Sequence, residues 1–463
     1  MSLTSFREAI AHTPQTSDQS SVRQASRDMT MAFSPLLRET IREKQAELVV
    51  RPQNKAQVLE IAAAAAKARV PLLPRGAGTG NWGQGIPMAG GAVVDMTALT
   101  KISWISDRKL RAEPGVIMAD LDRAAQQQGL ELRMHPSTRA TATIGGYIAG
   151  GHVGIGSCKW GILRDPGNVL GVEVVSVEET PRVIELRGTD VNFVHHAYGT
   201  NGLITEVELP LATAYRWREV IVEFDEFMTA VRFADALGNC DGIAFKLVAV
   251  NEWPYPSFFK ELVPYETEGR HNVLVMVADE FAEAFEALVA AHSGHISYQG
   301  LEGKGPFGRP LYEFAFGHAR LHATRADPNV VANIGVFPHQ DLVGSIERVW
   351  KKLRHMGPFH FDMKRLDGHL TMQGSPLFTF VDAAQLGRVI EAMQEEGVQS
   401  ANTHTMHVRE NGMKPITDRE LAFKKAMDPL GLLNPGKFSA DELEAPNEGA
   451  ALPTTGFSFR ATA

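Results

Sequence analysis

The sequence predicts an α+β chain: an amino-terminal lobe in which a βαβ unit delivers a glycine-rich loop, followed by a second domain of mixed strands and helices. Three observations predict it. Residues 47–50 read as a strand, Asn54 as a helix N-cap, residues 56–68 as an alanine-rich helix and residues 70–73 as the next strand. Two glycine clusters follow in the same lobe, at residues 76–91 and 145–161. With 463 residues and 44% hydrophobic content, the chain is long enough to bury two cores.

The elements follow in order. Pro74-Arg75-Gly76-Ala77-Gly78-Thr79-Gly80-Asn81 sets three alternate glycines behind an apolar run, so its backbone can turn several N–H groups toward one anion. A Walker loop needs a Gly-Lys-Ser/Thr ending, and a Rossmann fingerprint needs glycine where Asn81 stands and a helix after it. The continuation Trp82-Gly83-Gln84-Gly85-Ile86-Pro87 cannot be helical and runs to a strand at residues 92–96. For one such loop, a ligand-free surface turn is an equal reading. The second cluster decides between them. Ala142-Thr143-Ile144-Gly145-Gly146-Tyr147-Ile148-Ala149-Gly150-Gly151, continuing through Gly154, Gly156 and Gly161, holds too much glycine for a helix or strand interior, so backbone must approach something closely. Two such surfaces suit one long ligand.

Residues 117–129 read as a second helix with Gly129 near its end, 169–177 as a valine-rich strand and 203–209 as the strand closing the lobe. After Pro210, helix-like runs at 225–237 and 281–291 alternate with strand-like runs at 243–250 and 273–277. Residues 419–427 read as a helix stopped by Pro429 and Gly431, and those after Asp441 as a loose tail.

Charge and cysteine usage narrow the partners. Lys+Arg 46 against Asp+Glu 54 leave a net charge of -8, which disfavours nucleic acid and anionic membranes. The first thirty residues are polar without an apolar h-region, and no apolar run approaches the length of a membrane helix. A cytoplasmic protein with no membrane span is expected. Cys158 and Cys240 alone can build neither a disulfide framework nor an iron–sulfur cluster.

Five motifs in order then carry a resemblance: Arg75 to Gly80, Glu113-Pro114-Gly115-Val116, Pro136-Ser137 before Ala142-Thr143-Ile144-Gly145-Gly146, Gly202-Leu203-Ile204-Thr205-Glu206-Val207, and Leu433-Asn434-Pro435-Gly436-Lys437. The chain resembles the FAD-linked oxidase family of vanillyl-alcohol oxidase and p-cresol methylhydroxylase, nearest its glycolate oxidase and D-lactate dehydrogenase branch. The resemblance implies a two-lobed FAD-binding domain of the vanillyl-alcohol oxidase type, residues 1–214, an antiparallel-sheet-and-helices substrate or cap domain, residues 215–420, and a segment, residues 421–463, returning to the first.

The backbone donors of Arg75, Gly76, Ala77, Gly78, Thr79 and Gly80 suit the charge of the FAD pyrophosphate. By resemblance, Ser137, Thr138, Thr143, Gly145, Gly146 and Ile148 lie along the ribityl chain and pyrophosphate, with Ile204 near the adenine. Pro74, Asn81, Pro114, Gly115, Pro136, Ala142, Gly156, Gly202 and Asn434 belong to the same cofactor set. Family members that attach flavin through the first loop carry histidine where Thr79 stands, so non-covalent FAD is implied. Cys158 falls after Gly145-Gly146 rather than before Gly145, where family members with a cysteinyl link carry it, so it is read as a small buried residue rather than a tether. His152 is read as a loop histidine satisfied by backbone.

Oxidising a hydroxy acid requires a proton acceptor for the hydroxyl and a cation for the carboxylate. The histidines His360, His369, His404 and His407 and the cations Arg320, Arg325 and Arg365 are available, and His369, His404, His407 and Arg320 form the candidate catalytic set. Gly368-His369-Leu370 resembles the start of the branch's substrate-side histidine element. No metal is assigned: the β-branched surroundings of His404-Thr405-Met406-His407 favour a strand, on which positions three apart face opposite ways.

The resulting expectation is an FAD-dependent oxidoreductase taking hydride from a small alcohol, foremost a 2-hydroxy carboxylate. Oxidation of phenolic or benzylic alcohols is the alternative within the class, and a non-redox flavin-dependent transferase of the alkyl-dihydroxyacetonephosphate synthase type is the alternative outside it. The expected partners are the alcohol or hydroxy-acid substrate, a separate electron acceptor (dioxygen, a quinone or a redox protein) and, in a homodimer, a second copy of the chain.

Overall fold

Asn54 caps the helix Lys55–Ala68 by accepting from the Gln57 N–H, and Arg69, in the left-handed region at φ 58, ends it. The strand Leu72–Arg75 follows and delivers the first glycine loop. In this computed structural model, which describes residues 3–438 and the strand Ser458–Phe459, that unit belongs to a four-stranded sheet. Its order is Gln15–Thr16, Leu48–Val50, Ala92–Asp95, Leu72–Arg75, with the last three strands parallel.

A second, antiparallel sheet completes the amino-terminal part. Its order is Ser458–Phe459, Val183–Arg187, Gly171–Val175, Leu203–Thr213, Lys109–Ala112, Ile102–Ser106, with Leu130–Leu132 paired to the far end of Leu203–Thr213. The closing strand therefore runs through Pro210 to Thr213, four residues beyond the sequence-based limit. The second glycine cluster also departs from its reading. Ile144–Gly150 is a short helix, capped by Thr143 and ended by Gly151 at φ 66. Its glycines serve the close approach rather than abolishing the helix: a Cβ on Gly145 would stand 2.5 Å from Pro114 Cβ.

The third sheet is antiparallel and has eight strands, in the order His295–Leu301, Trp217–Phe224, His271–Ala278, Phe245–Asn251, Phe359–Leu366, His369–Pro376, Ile334–Val336, Gln399–Ala401. Alternate residues of each strand point to opposite faces. Val220, Val222, Val273, Val275, Phe359 and Phe361 pack on residues of the helices Phe227–Gly238, Ala282–Ala291, Leu342–Leu353 and Ala383–Gln394. Ile221, Leu247, Ala249, Leu274 and Met276 pack on Tyr255, Phe259, Phe314 and the helix Phe316–Thr324. Both faces are covered, which is why these strands read as continuous apolar runs.

The helix Asp418–Met427 leads back to the first sheet. Leu433 bridges in parallel to Leu72, whose N–H donates to Leu432 O and whose carbonyl accepts from Asn434 N. Lys437 Nζ, fully buried, donates to Gly83 O at 2.6 Å and Ile86 O at 3.0 Å, fastening the segment under the first glycine loop. The loose tail expected after Asp441 lies outside the described residues except for Ser458–Phe459.

Where the second and third sheets meet, Trp217 Nε1 donates to Glu131 at 2.7 Å, and Arg139 and Lys246 both reach Glu302 at 3.1 Å. Burial pushes the Glu131 carboxyl up to about 7, opposed by Lys246 and the Trp217 bond. The folded chain therefore holds a proton that the unfolded chain releases near 4.5, and stability falls as pH rises from there to about 7 and is level above. Glu131→Gln, which keeps an acceptor for Trp217, is expected to stabilise the protein at pH 8 by on the order of 1–3 kcal/mol. Denaturant melts across pH 4.5–8 should show a shallower slope in the variant; Glu219 and Glu266, pushed up by burial to about 7 and about 8, keep part of the slope.

Candidate active site

The two glycine loops face one another across a cleft of about 360 Å³. A Cβ on Gly76 would stand 2.1 Å from Thr143 Oγ1, the oxygen that caps Ile144–Gly150 by accepting from Gly146 N at 3.4 Å. Only glycine lets the loops meet without displacing that cap. Of the residues assigned to the cofactor, the whole run from Pro74 to Asn81 lines the cleft, with Pro114, Pro136, Ser137, Thr138, Ala142, Thr143, Gly145, Gly146, Gly202 and Ile204.

Four assigned residues do not line it, each for a packing reason. Gly115 lies against the carbonyls of Met96 and Leu99, and Ile148 is fully buried in the core of the lobe. Gly156, at φ +93, packs on Arg133 O and donates to Lys246 O, joining the lobe to the third sheet. Asn434 donates to Gln84 O at 2.9 Å and Tyr198 O at 2.7 Å, so it braces the loop from behind. Arg75 also behaves differently from a phosphate ligand. Its guanidinium folds back over Gly78, within 2.5 Å of where a Cβ would stand, and donates to Arg27 O at 2.6 Å.

The walls fit a long dinucleotide: extended glycine backbone on one side, the capped helix on the other, and the buried Asn81 Oδ1 left without a partner at one end. Part of the cleft comes from segments that no motif marked. Asp28, Met29 and Phe33 contribute from the polar amino-terminal stretch, where Asp28 accepts from Thr30 N and Gly85 N and burial pushes its carboxyl up. Phe316, Gly317, His318 and Leu321 contribute from the second domain.

A smaller cavity of about 120 Å³ opens beside the cleft and shares Phe33, Asn81, His152, Val153, Phe316 and Gly317 with it. His152, read as a loop histidine, stands at this junction; burial pushes it down to about 4, and its ring lies 4.9 Å from Trp82. Behind the junction, Phe359–Leu366 and His369–Pro376 pair so that His360, Asp362 and Lys364 stand opposite Ser375, Gln373 and Thr371. His360 Nδ1 lies 2.7 Å from Asn251 Oδ1 and Nε2 3.0 Å from Asp362 Oδ2, while Asp362 Oδ1 accepts from Phe316 N at 2.9 Å. Asn251 presents its oxygen because its amide donates to Asn272 at 2.8 Å. The Asn251 oxygen thus faces Nδ1 of His360, and the Asp362 carboxylate faces Nε2.

The candidate catalytic set divides. Arg320 lines the smaller cavity, but its donors go to backbone: Nη2 to Phe33 O and Val330 O, and Nη1 to Ala332 O, leaving Nε unpartnered. His404 is buried behind Arg320, pushed down to about 3 by burial, with Nδ1 3.0 Å from Ser34 Oγ. His369 is exposed where its hairpin turns and stacks edge-on with His339, away from both cavities. His407 is half-buried beside Glu410 at 3.0 Å. None of these three histidines lines the smaller cavity. The strand expected around His404 and His407 is confined to Gln399–Ala401; both histidines lie in irregular backbone before the helix Val408–Asn411. The sequence singled out His360 without placing it in the catalytic set and gave no motif for Asp362 and Gln373, whose only signal was alternation along two strands, or for Asn333, which lies between strands.

Among the described residues, no three His, Cys, Asp or Glu side chains stand together as a metal site, and no helix is long and apolar enough to cross a membrane. Cys158 is buried, and burial pushes its thiol up to about 12.

Comparison with known proteins adds three findings. A family model described as "FAD binding domain" matches residues 46–185. Glycolate oxidase subunit GlcD of Bacillus subtilis is 24% identical over 442 residues, covering 86% of this chain and 89% of that protein, and D-lactate dehydrogenase of Archaeoglobus fulgidus is 30% identical over 266 residues, 53% and 57%. A solved structure of alkyldihydroxyacetonephosphate synthase superposes with a TM-score of 0.67 at 15% identity, over 91% of this chain and 82% of that one, a likeness of fold.

Gly76→Ala tests the loop contact. It is expected to weaken FAD retention about tenfold or more, read as flavin absorbance per protein after gel filtration, because its methyl displaces Thr143 from the helix cap.

Proposed function

We propose that this chain, which belongs to the FAD-linked oxidase family and binds FAD, oxidises a small 2-hydroxy carboxylate at its CH–OH carbon. It is an FAD-dependent oxidoreductase acting on CH–OH groups. The observation that carries the finer reading is the His360–Asp362 pair in a cavity continuous with the flavin cleft. The named activities of the glycolate oxidase and D-lactate dehydrogenase relatives support the substrate class.

Bound FAD supplies a two-electron acceptor for the hydride that leaves the substrate carbon. Asp362 accepts the hydroxyl proton as the C=O bond forms, and the product is a 2-oxo acid. His360 donates to the carboxylate and holds it in place, itself held by Asn251. Phe316 N fixes the second carboxylate oxygen. The shared wall of Phe33, Val153 and Phe316 excludes water from the reacting atoms. A separate acceptor, dioxygen, a quinone or a redox protein, would be needed to take up the two electrons. Threonine at position 79, where family members that attach flavin through the first loop carry histidine, supports a flavin held without a covalent bond to that loop. At about 120 Å³ the cavity is well below the ~300–1,000 Å³ of drug-sized sites, which favours a substrate of a few heavy atoms.

Anaerobic mixing with D-lactate or glycolate is expected to bleach the flavin absorbance, and benzylic alcohols are expected not to. Asp362→Asn should slow that reduction by about 10²–10⁴-fold with FAD content unchanged, while His369→Ala should stay within about twofold of wild type. Bleaching by benzylic alcohols alone, or an Asp362→Asn variant as fast as wild type, would contradict the assignment.

A further inference from the structure

Three residues that line the smaller cavity each keep at least one polar side-chain atom without a protein partner. Asn333 is 3% exposed, and neither its Oδ1 nor its Nδ2 has a partner. Arg320 Nε is likewise unpartnered, although its Nη2 edge is occupied by backbone carbonyls. Gln373 is the third. Its Oε1 accepts from Lys364 Nζ at 2.9 Å, so the NH₂ end of the amide is turned away from the lysine, and among the described residues that end meets no acceptor.

Lys364 is the unusual member. It is 2% exposed, lies on the same side of its strand as His360 and Asp362, and among the described residues makes no hydrogen bond except the one to Gln373. A buried ammonium with one neutral partner is costly to hold: burial, and then Arg164, push Lys364 down to about 7, opposed in part by Asp362 and Asp165. Pointing its charge through an amide into a cavity gives it a second role. The amide dipole is fixed with its positive end outward, and an anion bound there gains a charge-assisted bond.

We infer that the substrate's carboxylate is read by the amides of Gln373 and Asn333, with Lys364 positioning Gln373 and supplying the charge behind it. This rests on the hydroxy-acid reading above and departs from the expectation that an arginine fork holds the acid. The neutral amides contact the anion, Arg320 Nε adds one donor, and the cation stays buried. A free carboxylate is therefore required, and the corresponding diol is a poor substrate.

The test uses holoenzyme and oxalate, a dicarboxylate with no C–H to lose, titrated by its perturbation of the flavin spectrum, together with turnover of D-lactate and propane-1,2-diol. Gln373→Met and Lys364→Met are each expected to weaken oxalate about tenfold or more, and to raise KM for D-lactate far more than they lower kcat. The preference for acid over diol should collapse in both. Oxalate that fails to bind wild type, or that binds Gln373→Met equally well, overturns the subsite, as does an equal loss toward acid and diol. Should Lys364→Met fail to fold, Gln373→Met alone decides. Oxalate binding by wild type with no bleaching by any hydroxy acid would instead sink the proposed oxidation and leave the anion site standing.

Discussion

The structure depends on two loops that touch where neither has a side chain to spare. Gly76 meets the Thr143 cap, Gly145 meets Pro114, and Gly199, at φ +71, lies against Pro74, where a Cβ would stand 2.4 Å from its Cγ. Each contact sets the separation of the cleft walls to backbone thickness, so the space between them admits a ligand along extended main chain. The returning segment makes this durable. Asn434 and Lys437 satisfy the carbonyls of Gly83, Gln84 and Ile86 from beneath, a set of buried acceptors that would otherwise be left unpaired.

Chemistry enters from the other side through strand alternation. On Phe359–Leu366 the odd positions Phe359, Phe361 and Met363 fill the helix-covered core, so His360, Asp362 and Lys364 must point the opposite way. The neighbouring strand brings Ser375, Gln373 and Thr371 alongside. Asp362, the proposed proton acceptor, and Gln373, the proposed amide donor, thus share one sheet face and line the same cavity. The amino-terminal stretch closes the remaining gap, with Phe33 lining both spaces and its carbonyl holding Arg320.

The cofactor side was legible because its signal is local. Glycine at 76, 78 and 80 behind a strand, and a second cluster opened by Thr143, have few other physical explanations, and eighteen of the assigned positions line the cleft. The exceptions were positions where glycine or asparagine supports packing instead: Gly115, Gly156 and Asn434 carry the same letters for a different reason. The substrate side was not legible in this way. His369 and His404 drew attention by their neighbours in the chain, whereas the proposed pair His360 and Asp362 is set by contacts with Asn251 and Phe316, 109 and 46 residues away. The amino-terminal wall was invisible for a simpler reason: Asp28 and Phe33 sit in polar, unpatterned sequence, and only the folded chain brings them to Gly85 and Arg320.

A crystal structure of the FAD-loaded protein tests the central claim most directly. The account predicts the pyrophosphate against the backbone of residues 75–80 and the isoalloxazine ring at Asn81, His152 and Phe316, with one face toward Asp362. An isoalloxazine at the Ile204 end of the cleft, remote from the smaller cavity, would contradict it.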